Sequence, residues 1–402
     1  MDTLMLHRDT WVEIHLDRIE NNIKQIKAYL PSSVKFMAAV KADAYGHGDL
    51  QIARLALRSG ADALAVSILS EALYLRKNGI KAPILVLTPI LPSDVNIAIE
   101  YDLSITVFDL SWLKEMRLYK VGKKPLKLHL KIDTGLGRIG INRKEELEVM
   151  LPMLNKEDIV VEGMYTHFAT ANKEDSTYFE KQFKEFLGFT NWVKSKGLNV
   201  SIFHCANSAA TLKYKDSHLD MVRIGVAMFG IYPSEEIRKT SPLRLQSALS
   251  LHSKLLHVKQ VKKGSFIGYD TAYEANSDEW IGTVPIGYAD GWFRWFQGFH
   301  VLVDGQKMPI VGKVCMDQFM IKLPKKYPVG TPVVLIGNDR NNEITLEDLA
   351  NHIGSVPQEI PSMITYRVPK VYFYNGEIVE VLTERNWSPS QYPLCKVNVN
   401  VK

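Results

Sequence analysis

VKFMAAV (34–40), ALAVS (63–67), PILVLT (83–88) and LSITVF (103–108) are short apolar runs, each followed by a longer, more polar stretch. The rhythm continues through LKLHLKI (126–132), IVVEGMYTHF (159–168), NVSIFH (199–204) and LDMVRIGVAMFG (219–230). Runs of this length, bounded by turn residues, read as buried strands. The intervening segments have helical spacing. In LDRIENNIKQIKAYL (16–30), Leu16, Ile19, Ile23, Ile26 and Leu30 fall on one face, which predicts a helix. NRKEELEVMLPMLN (142–155) and STYFEKQFKEFLGFTNWVKSKG (176–197) predict two more. Asp49, Ser70, Ser93 and Ser176 stand where helices would begin, and Gly60, Gly79 and Gly197 where they would end. Strands alternating with helices predict parallel βα units. Eight such strands suffice to close a (β/α)8 barrel of the TIM type, with an open doubly wound sheet as the alternative. Either architecture puts an active site at the C-terminal ends of the strands.

Past Gly230 the texture changes. ALSLHSKLLHVKQV (248–261), WIGTVPIGY (280–288), HVLVDGQKMPIVGKVC (300–315), TPVVLIG (331–337) and VPKVYFYNGEIVEVL (368–382) read as short strands. Asp304-Gly305 and Asn375-Gly376 are hairpin signals, and LEDLANHIG (346–354) reads as one helix. The expected organisation is a barrel at 11–241, a mainly β domain at 242–382 and a polar tail at 383–402, with residues 1–10 packing on the β domain.

Composition narrows the function classes. Of 402 residues, 46% are hydrophobic and 23% charged, which is ordinary for a soluble globular chain. A net charge of +5 is too small for a nucleic-acid-binding signature, and the basic run Lys120–Lys127 reads as a solvated loop. Cys205, Cys315 and Cys395 are odd in number and widely spaced, against a disulfide framework or a zinc site. The N-terminus MDTLMLHRDTWVEIHLD lacks a signal-peptide core, and no apolar run is long enough to span a bilayer. A cytoplasmic protein with reduced thiols, no nucleic-acid partner, no membrane and no metal is expected.

Chemistry concentrates in AAVKADAYGHG (38–48), where Lys41 directly follows the first apolar run. A lysine at the mouth of a barrel strand can have its ammonium partly desolvated, which lowers its pKa and makes it a Schiff-base former. Taken alone, a strand-end lysine more often reaches out to water. KADAYGHG, however, resembles the pyridoxal-phosphate attachment motif of the alanine racemase family. HLKIDTGLGRIG (129–140), EGMYTHFATAN (162–172), HCANSAATL (204–212), MVRIGVAMFGIYP (221–233), IGYDTAY (267–273), PIGYADGW (285–292) and VGKVCMDQ (311–318) resemble further segments of that family, in the same order. The resemblance covers roughly residues 10–382 and implies a pyridoxal 5′-phosphate barrel followed by a β domain.

The resemblance implies roles. Lys41 matches the lysine that holds the cofactor as an aldimine and acts as base on D-alanine. Tyr45, Asn207, Ser208, Gly225 and Val226 match the cofactor-phosphate site, where a barrel of this type often binds phosphate. Arg223 matches the residue facing the pyridine nitrogen. An arginine cannot accept a proton there, so the cofactor is a weaker electron sink and return of the proton to Cα is favoured over transamination. Without the motif, a pairing of Arg223 with Asp220 or Asp216 would be an equal reading. His167 matches the histidine linking Arg223 to a second base, and Tyr269 matches that base, acting on L-alanine. A tyrosine needs nearby positive charge to work at neutral pH, which a His167–Arg223 relay could supply. In the family Tyr269, Tyr288, Cys315, Met316 and Asp317 reach the other subunit's site, which implies a head-to-tail homodimer with shared sites. Arg138 and Met316 match substrate-carboxylate contacts. Lys131 matches a lysine often carbamylated, with an unmodified Lys131 beside Asp133 as the alternative.

There are departures. Gln358, in SVPQEIP (355–361), stands where the family commonly has a tyrosine that touches the phosphate and narrows the access corridor. Lys313 stands where a corridor arginine is common, while Tyr288, Asn172 and Arg294 fit other corridor positions. The expected activity is racemisation of alanine in the service of peptidoglycan. A broader racemase acting on serine, for example, would keep every catalytic residue and differ in the gate. A non-catalytic cofactor carrier would lack the β domain, and a related decarboxylase would have an acid in place of Arg223.

Overall fold

The computed structural model describes residues 6–383, and the chain divides into two compact units. Arg18–Ala44 and Gly48–Ser247 form one; the chain through Asp17, Tyr45–His47 and the chain from Ala248 onward form the other. Strand β1 (Thr10–His15) opens the chain and belongs to the second unit. The first unit carries β2 (Lys35–Ala39), β3 (Ala63–Val66), β4 (Ile84–Val86), β5 (Ser104–Val107), β6 (Leu126–Lys131), β7 (Ile159–Tyr165), β8 (Ile202–His204) and β9 (Met221–Ile224). These form one eight-stranded sheet in the order β8-β7-β6-β5-β4-β3-β2-β9, with parallel pairing. Between its two end strands, the Asp220 N–H donates to the Phe203 carbonyl at 3.1 Å and the Arg223 N–H to the Ala206 carbonyl at 2.9 Å. The sheet is therefore a nearly closed barrel, not an open doubly wound sheet.

The helices follow from burial and punctuation. Leu16–Tyr29 buries Ile19, Ile23 and Ile26, and Thr177–Ser195 buries Phe179, Phe186, Phe189 and Val193. The helix expected over 142–155 is two short ones, Lys144–Glu148 and Leu151–Leu154. Pro152 is the reason: it has no N–H to continue a helix, yet sits comfortably in the first turn of a new one. Residues 121–125 of the basic run are exposed, as a solvated loop requires, while its end lysines pair, Lys120 with Asp158 at 3.1 Å and Lys127 with Asp102 at 2.9 Å.

Along β6 the sequence alternates Leu126, Leu128 and Leu130 with Lys127, His129 and Lys131. Alternate residues of a strand face opposite sides, so the leucines pack outward under the helices and the polar set points into the barrel. That inward polar face prepares the site.

The second unit adds β10 (Leu249–Lys254), β11 (His257–Val261), β12 (Phe266–Ile267), β13 (Tyr273–Glu274), β14 (Glu279–Val284), β15 (His300–Val303), β16 (Gln306–Val311), β17 (Phe319–Leu323), β18 (Pro332–Asp339), β19 (Asn342–Ile344), β20 (Lys370–Tyr374) and β21 (Glu377–Leu382). Its main sheet runs β11-β14-β17-β16-β15-β18-β10-β1-β20-β21, and β12 and β13 form a separate ribbon. Both expected hairpins turn on two left-handed residues, Asp304-Gly305 (φ 55° and 74°) and Asn375-Gly376 (φ 51° and 83°). The helix Leu346–Ile353 is capped by Thr345, which accepts from the Asp348 N–H. A barrel starting at residue 11 is corrected by β1, whose backbone pairs antiparallel with β10 and parallel with β20. The tail beyond residue 383 lies outside the described residues, as does Cys395. Among the described residues no helix is long and apolar enough to cross a membrane, and no cluster of three or more His, Cys, Asp or Glu could hold a metal.

Candidate active site

Lys41 leaves the C-terminal end of β2 into an unusual turn. Ala42, Asp43, Ala44 and Tyr45 have φ of 51°, 54°, 50° and 56°, so the helical turn Lys41–Gly46 is left-handed. Such a conformation costs about 1–2 kcal/mol for each L-residue and persists only where its surroundings enforce it. The Ala44 N–H donates to the Val40 carbonyl at 3.0 Å, the Gly48 N–H to the Asp43 carbonyl at 2.9 Å, and the Ala42 N–H to Glu71 Oε1 at 2.7 Å. Lys41 is half-buried, and that burial lowers its pKa from the ordinary lysine value. Arg138 and Arg223 push the same way, and Glu71 opposes them.

Arg223, on β9, is buried and ordered by acceptors on β8 and just beyond the end of β7. Its Nη2 donates to the Thr166 carbonyl at 2.7 Å and faces His167 Nδ1 at 3.3 Å, while Nη1 faces His204 Nδ1 at 2.9 Å. Neither Asp216 nor Asp220 is its partner: the Asp220 carboxylate takes the Phe203 N–H at 2.7 Å. Guanidinium donates only, so His204 Nδ1 must accept, leaving its Nε2–H to donate to His129 Nδ1 at 2.9 Å. The remaining His129 Nε2 then faces Glu162 at 3.9 Å. Burial, with Arg223 second, holds His204 and His167 well below the usual imidazole pKa and His129 at about 3. All three imidazoles are thus neutral at physiological pH. Of the pair expected to form a relay, the positive charge lies on Arg223, and His167 is the acceptor at 3.3 Å. Tyr165 stacks on His204 with centroids 4.9 Å apart, and Arg223 lies over its ring at 5.0 Å.

His129, His204 and Tyr165 were not singled out from the sequence, because a histidine in an apolar strand reads as core. The i, i+2 recurrence in LKLHLK was the signal available. Gly163 belongs with them. It is the β7 residue paired with His129, and a Cβ there would stand 2.4 Å from His129 Nδ1. Gly163→Ala is expected to lower stability by about 1–3 kcal/mol through overpacking, read by urea denaturation. An unchanged midpoint would contradict this packing.

Lys131 is buried, donates to the Ile132 carbonyl at 2.8 Å and lies 5.4 Å from the Tyr165 ring centroid. Burial, then Arg223, brings its pKa down to about 7 against the opposing charge of Asp133. The Asp133 carboxylate itself is occupied with the loop beyond β6, accepting the N–H groups of Gly135, Leu136 and Gly137 at 2.9–3.1 Å. Exposed Arg138 rides on that loop. After β8, Asn207 caps the following helix by accepting the Ala210 N–H at 3.0 Å. Ser208 Oγ accepts from the Gly225 N–H at 3.1 Å and the Ala227 N–H at 3.4 Å, tying the ends of β8 and β9 together around Val226. Asn172 is half-buried on the turn beyond His167. Burial raises the Tyr45 pKa to about 12, so its hydroxyl keeps its proton and can donate.

The other unit holds the remaining candidates. Tyr269 is 68% exposed in the turn between β12 and β13. It lines a cavity of about 440 Å³ with Phe266, Lys259, Cys315 and Gln318. Lys313 pairs with Asp270 beside it, and Arg294 adds a second positive charge near that carboxylate. Met316 is exposed, Tyr288 borders on exposed, and Asp317 pairs with Arg367 at 2.7 Å. Gln358 starts the short helix Glu359–Met363.

A nearly closed eight-stranded barrel with a lysine and a buried arginine at its strand ends, followed by a mainly β unit, defines a class: two-unit barrel proteins with a polar strand-end site. The comparisons specify which. Residues 14–233 match the model of the alanine racemase N-terminal domain, and residues 248–372 that of the alanine racemase C-terminal domain. The chain belongs to the alanine racemase family. It is 48% identical over 376 residues to an alanine racemase of Geobacillus kaustophilus, covering 93% of this chain and 97% of that protein. It is 42% identical over 401 residues to alanine racemase 1 of Bacillus subtilis, covering 100% of each. Among solved structures, the alanine racemase of Bacillus anthracis with bound L-Ala-P superposes with a TM-score of 0.93 at 47% identity, covering 95% of this chain and 99% of that one.

Proposed function

We propose that this protein interconverts L- and D-alanine with pyridoxal 5′-phosphate as cofactor and two bases, Lys41 and the Tyr269 of a second copy of the chain. The observation that carries the reading is geometric: Lys41 leaves the C-terminal end of β2, and the neighbouring strand β9 carries a buried arginine, Arg223, held by the Thr166 carbonyl and His204. The donor set suits a phosphorylated pyridine aldehyde. The Ser208 hydroxyl and the Val226 N–H would hold its phosphate, with Gly225, whose N–H is bonded to Ser208 Oγ, and Asn207 shaping the turn; Tyr45 would donate a hydroxyl, and Arg223 would face the ring nitrogen. Bound there, the cofactor supplies electron withdrawal from the substrate Cα. Lys41, able to be neutral, takes or returns the proton on one face. Tyr269 does so on the other. Arg223 keeps its charge, because a guanidinium is far too weak an acid to pass its proton to the neutral imidazoles behind it. Arg138 and the Met316 N–H orient the substrate carboxylate. The shared site requires a head-to-tail homodimer, and the cytoplasm, with D-alanine passing to peptidoglycan, is the setting proposed.

Lys131 is proposed to carry a carbamate. Its neutral amine attacks CO2 and loses a proton, leaving an anion beside Arg138. Incubation with 13C-bicarbonate should give a carbamate carbonyl resonance that is absent in Lys131→Met. The resonance should fade as pH falls below about 7, where the amine protonates. No resonance in mildly alkaline buffer contradicts the modification.

Gln358 carries the second reading, a wider gate. It is shorter than tyrosine and offers no aromatic wall, so some serine turnover beside alanine is expected. Gln358→Tyr should lower the serine-to-alanine ratio of kcat/KM. One phenol–phosphate hydrogen bond gained is worth about 0.5–1.5 kcal/mol in cofactor binding. A ratio that does not move removes this role for Gln358.

A further inference from the structure

The left-handed turn that begins at Lys41 needs something to hold it, and the neighbouring βα loop provides it. Glu71 lies in the first turn of the helix Leu69–Lys77, which follows β3, the strand paired with β2. Its Oε2 accepts the Ser67 N–H at 2.6 Å and the Ile68 N–H at 3.2 Å. Its Oε1 reaches across to the Ala42 N–H at 2.7 Å. One carboxylate thus uses both oxygens, one for its own loop and one for the residue next to Lys41. Charge-assisted bonds of this kind are short and strong. A local helix-capping role accounts for Oε2. It does not account for Oε1, whose partner lies 29 residues away in sequence and is the first left-handed residue of the turn.

We propose that Glu71 is the positioning residue for Lys41: by tying the Ala42 N–H to the loop after β3, it enforces the left-handed turn that aims the Lys41 amine. The proposal rests on the reading of Lys41 as cofactor lysine and base. Glu71 touches neither substrate nor cofactor and acts through the backbone. Glutamine cannot replace it, because an amide has one acceptor oxygen and would turn its NH2 toward one of the donors.

The test compares holoenzymes of the wild type, Glu71→Gln and Glu71→Ala. Both variants are expected to lose about ten- to a hundredfold in kcat, with KM for alanine moving much less, since a misplaced amine impairs proton transfer more than binding. Hydrogen–deuterium exchange, followed by mass spectrometry, should quicken in the peptide covering 42–46 while β2 and β3 stay protected. Should Glu71→Ala yield no soluble protein, Glu71→Gln carries both measurements. Exchange that quickens only in the helix 69–77, with 42–46 protected and kcat within about twofold of wild type, would leave Glu71 a helix cap and overturn the proposal. The underlying reading fails separately, through Lys41→Ala, so the two failures are distinguishable.

Discussion

Lys41→Ala is expected to abolish the visible absorption of the lysine-bound cofactor and to reduce racemisation to the limit of detection. Two losses combine. A general base contributes about 10²–10⁴-fold, and in the proposed site the amine is also the covalent anchor of the cofactor. Lys131, the strand-end lysine of β6, is buried and has its amine on the Ile132 carbonyl. The checks are an absorption spectrum of the purified variant and a coupled D-amino-acid oxidase assay. A variant that keeps the visible band would remove Lys41 from the cofactor, and with it the positioning role of Glu71.

Tyr269→Phe should keep the cofactor band, since Tyr269 lies in the β unit and outside the cofactor-binding residues proposed on the barrel. It should lose racemisation by about 10²–10⁴-fold, the contribution of one base. Removing one hydroxyl from a residue 68% exposed in the protomer should leave folding intact, so the loss would be chemical. Mixing Lys41→Ala and Tyr269→Phe subunits should restore part of the activity, because a hybrid dimer has one site with both bases. Verified subunit exchange without recovery would argue against a shared site.

The fold was readable because each barrel strand is an apolar run with its own turn signals, and because Asp304-Gly305 and Asn375-Gly376 announce their hairpins chemically. The place of Lys41 after β2 and of Arg223 on β9 was readable from the apolar runs around them. The left-handed turn was not. The two alanines and Tyr45 have no intrinsic preference for positive φ, and one of the bonds that holds the turn comes from a carboxylate on the next loop, which no local signal announces. The histidines behind Arg223 were equally hidden. His129 sits in LKLHLKI and His204 in NVSIFH, and only ring closure brings strands β6, β8 and β9 around one interior point. Local pattern also misjudged the start of the barrel. The alternation in TWVEIH serves the β sheet, because its partners β10 and β20 lie more than 200 residues downstream, where no local signal reaches.

The central claim is racemisation of alanine through two bases on opposite faces. Its most direct test is L-alanine incubated with the cofactor-loaded enzyme in D2O, followed by polarimetry and proton NMR of the Cα hydrogen. The account predicts that optical rotation decays to zero while deuterium enters Cα, with D- and L-alanine ending in equal amounts. Persistent rotation would contradict it, whether Cα exchanges or not, because exchange with retention means that a single face is served.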